Sequence, residues 1–334
     1  MEIIPAHIFK KEGKTAMKID VHAHYIPRDC FGVVDASGRE AGPAIATDSS
    51  GQESVSMGGV NLGPIARLMY DPETRIKEMD KIGLDMHALS VSPLSFFYTL
   101  DAEQGLSLSK RQNDCLAEWV KAYPDRFVGM ATVPMQEAGK AVAELERAVT
   151  QLGFKAVEIN TNMNGKNLDE PEFLPFFEKA QALGVPVFLH PHYVIGAADR
   201  LSRHYLINLI GNPTDTTIAV ASLILGGVME RFPRLKIVCA HAGGTTPFIK
   251  GRWDHAYHHL FGTKIDIPHP PSEYIKRLYF DTITHYKPAL MYMINDHGVD
   301  HIVLGSDYPF DMSDLDPVST VKNLGLTAGD EEKV

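Results

Sequence analysis

Histidine and aspartate residues stand where four short apolar runs of the sequence end. His22 and His24 lie one residue apart in DVHAH, and residues i and i+2 of a strand point to the same side. His190 ends VFLH, His241 ends VCAH, and Asp307 follows VLG. A lone HxH pair is more often structural, but chance explains four such strand ends poorly. Imidazoles and a carboxylate are usual ligands of Zn²⁺, Mn²⁺ or Fe²⁺, so the pattern predicts a divalent-metal site with one position open for water or substrate.

Eight segments are predicted to be strands, and several of them are short apolar runs typical of strands buried on both faces. Their ranges are 17–22, 85–91, 127–133, 155–160, 186–190, 236–241, 278–281 and 301–305. Helical periodicity occupies the intervening stretches 73–82, 137–151 and 171–183. This alternation predicts an α/β fold, a closed (β/α)₈ TIM barrel, in which the carboxyl ends of the strands form the active-site mouth.

A single barrel domain is expected over residues 17–334. Residues 1–16 are interpreted as an N-terminal extension, and they lack the apolar core of a signal peptide. An insertion at about 25–70 follows the first strand and is rich in Gly, Ser and Ala. It would lie at the active-site face, so we interpret it as lid-like rather than as a floppy surface loop. A second insertion, 193–230, is expected to be helical and buried against the barrel or another subunit.

Composition argues against several partners and locations. The chain of 334 residues is 44% hydrophobic and has a formal net charge of −10, so neither nucleic acid nor an anionic membrane is expected as a partner. No apolar run approaches the roughly 20 residues of a membrane span. Cys30, Cys115 and Cys239 are far apart and odd in number, which favours a cytoplasmic protein without a disulfide framework.

Four motifs resemble, in order and spacing, those of aminocarboxymuconate-semialdehyde decarboxylase and its relatives. They are DVHAH, FLHPH, AHAGGTTPFIKGR and GSDYPF, and the similarity runs from about residue 17 to 315. It includes DPETRIKEMDKIGLD, RFPRLKIVCAH and HPPSEYIKRLYFDT. The chain is therefore identified as a member of this family of metal-dependent barrels in the amidohydrolase superfamily.

The resemblance implies a role for each strand-end residue. It implies one divalent metal ion, Zn²⁺ favoured over Mn²⁺, with the ligands His22, His24, His190 and Asp307. It gives His241 the role of general acid/base and makes Asp307 a catalytic residue as well as a ligand.

The resemblance also implies a homodimer. Arg252 falls where relatives place an arginine that binds the substrate carboxylate across the subunit interface. A guanidinium binds a carboxylate through two parallel hydrogen bonds, which suits this role. The local sequence alone is equally compatible with a salt bridge on a helix surface. The apolar stretch 218–229 is expected to help form the interface, because such a helix is costly to expose.

Two positions depart from relatives that act on aminocarboxymuconate semialdehyde. Gly63 stands where those relatives carry a second substrate-binding arginine, and Arg67, four residues on, could partly substitute. His192 stands where they have tryptophan, and we assign it to substrate binding. Phe96 could stack on a flat substrate, although an aromatic residue there is more often part of the core. These differences favour another small carboxylated molecule, aromatic or enol-type.

The favoured function is metal-dependent, non-oxidative decarboxylation of a small unsaturated or aromatic carboxylic acid. His241 would manage the proton at the carbon that bears the carboxylate. Hydrolysis of an amide, ester, lactone or carbon–carbon bond could use the same site, and so could hydration of a double bond. A third hypothesis is a metal-binding scaffold without turnover, but a scaffold does not require His241.

Overall fold

The computed structural model describes residues 17–260 and 267–334, and the predicted extension 1–16 lies outside them. The strands of the described ranges are β1 (Ile19–Tyr25), β2 (Ala44–Thr47), β3 (Glu53–Met57), β4 (Val60–Gly63), β5 (Met86–Val91), β6 (Phe127–Ala131), β7 (Ala156–Asn160), β8 (Val187–His190), β9 (Ile237–Cys239), β10 (Tyr279–Asp281) and β11 (Ile302–Val303). β1 and β5 to β11 form one parallel sheet in chain order, and β2 to β4 form a separate antiparallel sheet.

Helices lie between the strands of the barrel and after the last of them. They are α1 (Ala66–Tyr70), α2 (Pro72–Ile82), α3 (Ala102–Ala122), α4 (Ala138–Thr150), α5 (Leu174–Leu183), α6 (Asn212–Leu225), α7 (Val228–Arg231), α8 (Thr246–His259), α9 (Pro271–Ile275), α10 (Lys287–His297), α11 (Pro317–Lys322) and α12 (Ala328–Glu331). A π-helical turn, Ile207–Gly211, precedes α6. The alternation confirms the predicted (β/α)₈ TIM barrel.

Hydrogen bonds between β1 and the segment around β11 close the barrel. The N–H of Val21 donates to the carbonyl of Leu304 at 2.9 Å, and the N–H of Asp307 donates to the carbonyl of His22 at 2.7 Å. All eight predicted barrel strands are present, but their ends differ. β1 runs on to Tyr25, so both histidines of DVHAH lie inside the strand, and β9 ends before His241.

Local sequence explains how α2 is bounded. Asp71 caps the helix by accepting hydrogen bonds from the N–H groups of Glu73 and Thr74, and Pro72 occupies the first helical position. Gly83 ends the helix in the left-handed conformation, with φ 67°. These signals place the helix where the periodicity of 73–82 predicts it, directly before β5.

The insertion after β1 is folded, because it contains the β2–β3–β4 sheet. Glu53 on β3 accepts a hydrogen bond from Nη2 of Arg28 at 2.6 Å and another from the hydroxyl of Tyr70. These bonds connect the sheet to the segment that follows β1 and to α1. The arrangement does not fit a floppy loop, and the lid role stays a prediction.

The apolar helix α6 and the short helix α7 pack inside their own chain. Val220, Leu223, Ile224 and Met229 are at most 1% exposed. Ile218 and Leu225 of the same stretch are half-buried, so the contribution of residues 218–229 to a subunit interface stays a prediction. The exposed apolar side chains of this region precede α6 and are Tyr193, Ile195, Tyr205, Ile207, Leu209 and Ile210.

None of the helices in the described parts of the chain has the length and apolar character needed to cross a membrane.

Candidate metal centre

The four predicted ligands meet inside the barrel. His22 and His24 come from β1, His190 ends β8, and Asp307 follows β11. One ligand atom of each residue lies within 4.8 Å of the others, and all four residues are buried. The period of two in β1 brings His22 and His24 to the same side, as their spacing predicts.

Asp307 lies next to all three imidazoles. Its Oδ1 is 3.3 Å from Nε2 of His22, 3.1 Å from Nε2 of His24 and 3.7 Å from Nε2 of His190. Within the described ranges, the buried Nε2 atoms of His22 and His190 have no hydrogen-bond partner. Buried nitrogen atoms left unpartnered are costly, and a divalent cation beside the carboxylate would satisfy them. The donor set therefore fits the predicted metal ion.

A carboxylate behind the cluster orients His22. Nδ1 of His22 lies 2.7 Å from Oδ2 of Asp281, a fully buried residue at the end of β10. Asp281 also accepts hydrogen bonds from the backbone N–H groups of His241 at 2.8 Å, Ala242 at 2.8 Å and Ile283 at 3.0 Å. Metal-binding histidines commonly donate their second ring N–H to a carboxylate, which fixes the tautomer and the ring orientation. Asp281 thus positions His22 and the turn at His241 together.

His241 stands beside the cluster. Its Nε2 is 3.4 Å from Oδ2 of Asp307, and its side chain is 15% exposed. The backbone is left-handed at His241, with φ 51°, and at Ala242, with φ 56°. Such strained backbone persists only where the surrounding structure holds it, and the hydrogen bonds to Asp281 do so here. The imidazole is therefore placed to exchange a proton with a molecule bound next to Asp307.

Buried charges fix the backbone of β1. Asp20 accepts hydrogen bonds from the N–H of His22 at 2.9 Å and the N–H of Ser306 at 3.1 Å, so it connects β1 to the loop after β11. Arg75 is fully buried and donates to the carbonyl of His24. Buried charges persist when they are paired and hydrogen-bonded. The backbone at both histidines of β1 is therefore held in place before any metal binds.

A family comparison agrees with this geometry. The model of the family described as Amidohydrolase matches residues 19–333. The chain is 34% identical to the 2-amino-3-carboxymuconate-6-semialdehyde decarboxylase of Dictyostelium discoideum over 314 residues, which cover 92% of this chain and 86% of that protein. The chain belongs to the amidohydrolase family. The resemblance found in its motifs is thereby confirmed.

Solved structures share the fold of this amidohydrolase. The 5-carboxyvanillate decarboxylase of Sphingomonas paucimobilis matches with a TM-score of 0.82 at 28% identity, over 96% of each chain. The dihydroxybenzoic acid decarboxylase of Polaromonas sp. JS666 matches with a TM-score of 0.79 at 24% identity, over 96% of this chain and 94% of that one. The Polaromonas structure holds manganese and the inhibitor 2-nitroresorcinol. These relatives are decarboxylases.

Burial keeps two of the imidazoles of this amidohydrolase neutral. It lowers the pKa of His24 to about 4 and the pKa of His190 well below its usual value. Burial also opposes charge on His22, but the carboxylates of Asp307 and Asp281 outweigh it and raise the pKa of His22 to about 10. Neutral imidazole is the form that binds a metal ion. His24 and His190 are therefore ready to ligate, while a metal at His22 competes with a proton.

The predicted substrate-binding residues occupy different environments. Phe96 is 2% exposed and stacks on Tyr98 with ring centroids 5.1 Å apart, which favours the core interpretation. His192 lies two residues beyond the ligand His190, and burial lowers its pKa to about 4. Arg252 is exposed on α8. The roles of His192 and Arg252 toward a substrate stay predictions.

Backbone conformation explains why glycine occupies position 63. Gly63 ends β4 with φ 98°, and its N–H donates to Oδ1 of Asn61 at 2.8 Å. Glycine adopts such a conformation readily, whereas an arginine would be strained there. Arg67, the candidate substitute, is exposed and lies with Nη2 3.2 Å from Oδ2 of Asp71. Its guanidinium therefore has a partner on its own helix segment.

Sequence reasoning missed Asp281 and Ser90. Asp281 ends the predicted strand 278–281, so the pattern that singled out His190 and His241 could have found it. The hydroxyl of Ser90 lies 3.1 Å from Nδ1 of His24, because β1 and β5 pair in a register that sets these residues opposite each other. A serine inside a strand carries no comparable signal, and the register is visible only in the structure.

Proposed function

We propose that this protein is a metal-dependent, non-oxidative decarboxylase of a small unsaturated or aromatic carboxylic acid. The observation that carries the proposal is the buried cluster of His22, His24, His190 and Asp307, with Nε2 of His241 3.4 Å from Oδ2 of Asp307. A binding scaffold would need the ligands alone, whereas His241 adds a proton donor beside them. The decarboxylase relatives described above support the same reaction class.

The cofactor we propose is a single divalent ion, Zn²⁺ in preference to Mn²⁺. Three imidazoles and one carboxylate suit zinc, whereas the manganese of the Polaromonas relative supports the alternative. When bound, the ion would act as a Lewis acid toward the carboxylate and a neighbouring hydroxyl or keto oxygen of the substrate.

His241 is the residue that we assign to proton transfer. Its imidazolium would donate a proton to the carbon that bears the carboxylate, which interrupts the conjugation of the substrate. The electron pair of the carbon–carbon bond then restores the conjugation as CO₂ leaves. Asp281 would keep His241 in position through its hydrogen bond to the backbone N–H at 2.8 Å. Asp307 lies next to the imidazole, with Oδ2 3.4 Å from Nε2 of His241.

We also propose a homodimer in which Arg252 of one subunit binds the substrate carboxylate in the other. Arg252 is exposed on α8, and a guanidinium suits a carboxylate through paired hydrogen bonds. The exposed apolar side chains that precede α6, such as Ile207 and Ile210, support an association surface, because clustered apolar groups are costly to leave in water.

The substrate that we propose is a carboxylated aromatic or enol-type molecule other than aminocarboxymuconate semialdehyde. Gly63 supplies no guanidinium, and Arg67 already has Asp71 as a partner. His192, neutral because of its burial, is assigned to contact the substrate without adding charge. A cytoplasmic location is proposed as well, since Cys30, Cys115 and Cys239 are free thiols.

A CO₂-release assay over a panel of acids tests the proposal. The protein is loaded with one equivalent of Zn²⁺ or Mn²⁺ and incubated with hydroxylated benzoic acids and unsaturated carboxylic acids in D₂O. We expect at least one acid to release CO₂ and to yield a product that carries deuterium at the carbon that lost the carboxylate. Asp307→Asn should abolish the release, and the surface variant Asp300→Asn should leave it unchanged.

The runner-up function is hydrolysis of an amide, ester, lactone or carbon–carbon bond in the same site, and hydration of a double bond is a close third. The same loaded protein is therefore also incubated with panels of these compounds. If the protein turns over one of these compounds only when Asp307 is intact, and no acid releases CO₂, hydrolysis or hydration would replace decarboxylation as the proposed function.

A further inference from the structure

Glu158 is a buried carboxyl group that the proposed reaction does not use. It lies on β7 and is 0% exposed, with Oε1 3.9 Å from Nδ1 of His24. Neither of its carboxyl oxygens has a hydrogen-bond partner within the described ranges. The neighbouring side chain of Ser90 opposes the rise that burial causes in the pKa of the carboxyl group. An isolated carboxyl group is costly to bury, so its position next to a predicted metal ligand requires a physical reason.

The three histidine ligands differ in what holds the second ring nitrogen. Nδ1 of His22 lies 2.7 Å from the carboxylate of Asp281, and Nδ1 of His190 lies 3.0 Å from the carbonyl of the next residue. Nδ1 of His24 lies 3.1 Å from Oγ of Ser90. A hydroxyl is a weaker anchor than a carboxylate, because it rotates freely unless its own hydrogen is also bound. His24 is therefore held well only if Ser90 is itself held.

The direction of these hydrogen bonds follows from ligation. Once Nε2 of His24 faces a metal ion, its Nδ1 must carry the ring proton and donate it to Oγ of Ser90. The hydroxyl hydrogen of Ser90 then needs an acceptor. The carbonyl of Ala23 is 3.4 Å away, which is long for an O–H donor. Glu158, with oxygens that are otherwise unpartnered, is the better acceptor.

We propose that Ser90 and Glu158 are positioning residues that act through His24 on the metal centre. The N–H at Nδ1 of His24 donates a hydrogen bond to Oγ of Ser90, and the hydroxyl of Ser90 donates one to Glu158. The carboxyl group therefore fixes the orientation of the imidazole through the serine. The inference rests on the metal site of the proposed function and extends it to two residues outside the ligand set.

The acceptor role does not require a charged carboxylate. Burial raises the pKa of Glu158 to about 8, and the carbonyl oxygen of a neutral carboxyl group still accepts a hydrogen bond. Glutamine keeps that oxygen, whereas methionine has a similar length and no such acceptor. The pair Glu158→Gln and Glu158→Met therefore separates the hydrogen bond from the volume of the side chain.

Metal affinity is the decisive measurement. Zn²⁺ and Mn²⁺ dissociation constants are obtained by competition with a chromophoric chelator, the Co²⁺ form is followed by its visible spectrum, and thermal unfolding of the apo-protein monitors the fold. We expect Ser90→Ala and Glu158→Met each to weaken metal binding by about 10-fold and to alter the Co²⁺ spectrum. Glu158→Gln should bind nearly as tightly as the unsubstituted protein, and the double variant Ser90→Ala/Glu158→Met should bind no more weakly than Ser90→Ala.

The matched control is Ser95→Ala, which removes a buried hydroxyl that donates to the carbonyl of Ser92 at 3.0 Å. It should leave metal affinity unchanged, and an equal loss of affinity in this control would overturn the inference.

Additive losses of affinity in the double variant would also overturn it, because Glu158 would then act independently of Ser90. If Glu158→Met does not fold, Ser90→Ala decides, and unchanged affinity in that variant overturns the positioning role. Failure of the unsubstituted protein to bind one metal equivalent would overturn the metal site itself, whereas normal binding with unaffected variants overturns only this inference.

Discussion

His22 and His241 share one hydrogen-bond acceptor, Oδ2 of Asp281. Nδ1 of His22 lies 2.7 Å from this oxygen, and the backbone N–H of His241 donates to it at 2.8 Å. One side chain thus fixes both the ring of a predicted metal ligand and the strained turn that carries the proposed acid/base. A change at Asp281 should affect metal binding and proton transfer together.

Asp281→Asn tests this coupling. Asparagine keeps the size of the side chain but loses the charge that draws the ring N–H of His22, so we expect metal affinity to fall by roughly 10- to 100-fold. Turnover should remain low even at saturating metal, because the turn at His241 loses part of its support. Asp300→Asn, at a surface carboxylate 3.1 Å from Lys333, is the control and should bind metal normally. A normal dissociation constant in Asp281→Asn would contradict the coupling.

His241→Ala should remove turnover and leave the metal bound. General acid/base residues contribute on the order of 10²–10⁴ in rate, and the predicted ligand set does not include this imidazole. Rate and metal content are measured on the same preparation, with the exposed histidine variant His258→Ala as the control. Loss of the metal would reassign His241 as a ligand, and unchanged turnover would remove it from the mechanism.

Removal of the metal should abolish activity reversibly. Dialysis against a chelator is expected to give inactive protein, and one equivalent of Zn²⁺ per chain should restore it better than Mn²⁺, because three imidazoles and a carboxylate suit zinc. Elemental analysis during the titration checks the stoichiometry. Full activity in protein without stoichiometric metal would rule out the proposed cofactor.

Phe96→Leu separates packing from substrate contact. Phe96 is 2% exposed and stacks on Tyr98, so we expect the free energy of unfolding to fall by about 1 kcal/mol while KM stays unchanged. Chemical denaturation and steady-state kinetics on the same variant provide both numbers. A large rise in KM with unchanged stability would restore the stacking role.

The strand-end pattern predicted much of the fold and the site. The pattern could identify strand-end residues of ligand type because parallel strands bring their carboxyl ends to one edge. The resemblance to the decarboxylase family was needed to separate the ligands His22, His24, His190 and Asp307 from His241. The sequence around His22 and His24 could identify β1 as the first strand of the barrel. It could not show that β1 continues through both histidines to Tyr25, because strand ends depend on pairing with neighbours.

Contacts between distant segments were beyond prediction. The opposition of Ser90 and His24 depends on the register of β5 against β1, which no local pattern encodes. The apolar stretch 218–229 pointed to burial correctly, but hydrophobicity alone does not distinguish burial in the core from burial at an interface. The Gly- and Ser-rich composition of the first insertion gave no signal for the sheet that it contains. The hydrogen bonds of Glu53 with Arg28 and Tyr70, which connect this sheet to its neighbours, are visible only in the structure.

The role of Arg252 can be tested by mixing two inactive variants. If Arg252 completes the site of the other subunit, Arg252→Ala and His241→Ala should each be inactive as homodimers. A hybrid dimer then contains one site with both changes and one site with neither. Activity should therefore partly return as subunits exchange, toward one intact site per hybrid dimer, and it is followed by the CO₂-release assay over time.

Subunit exchange must be confirmed independently, for example by energy transfer between differently labelled subunits. Mixing His241→Ala with Asp307→Asn is the matched control. Because both of these residues belong to the site of their own subunit, each site of that hybrid keeps one defect and no activity should return. Exchange without recovery in the Arg252 mixture would mean that Arg252 serves its own subunit or is not needed. Full activity of Arg252→Ala alone would remove its carboxylate-binding role and would raise hydrolysis above decarboxylation as the proposed function.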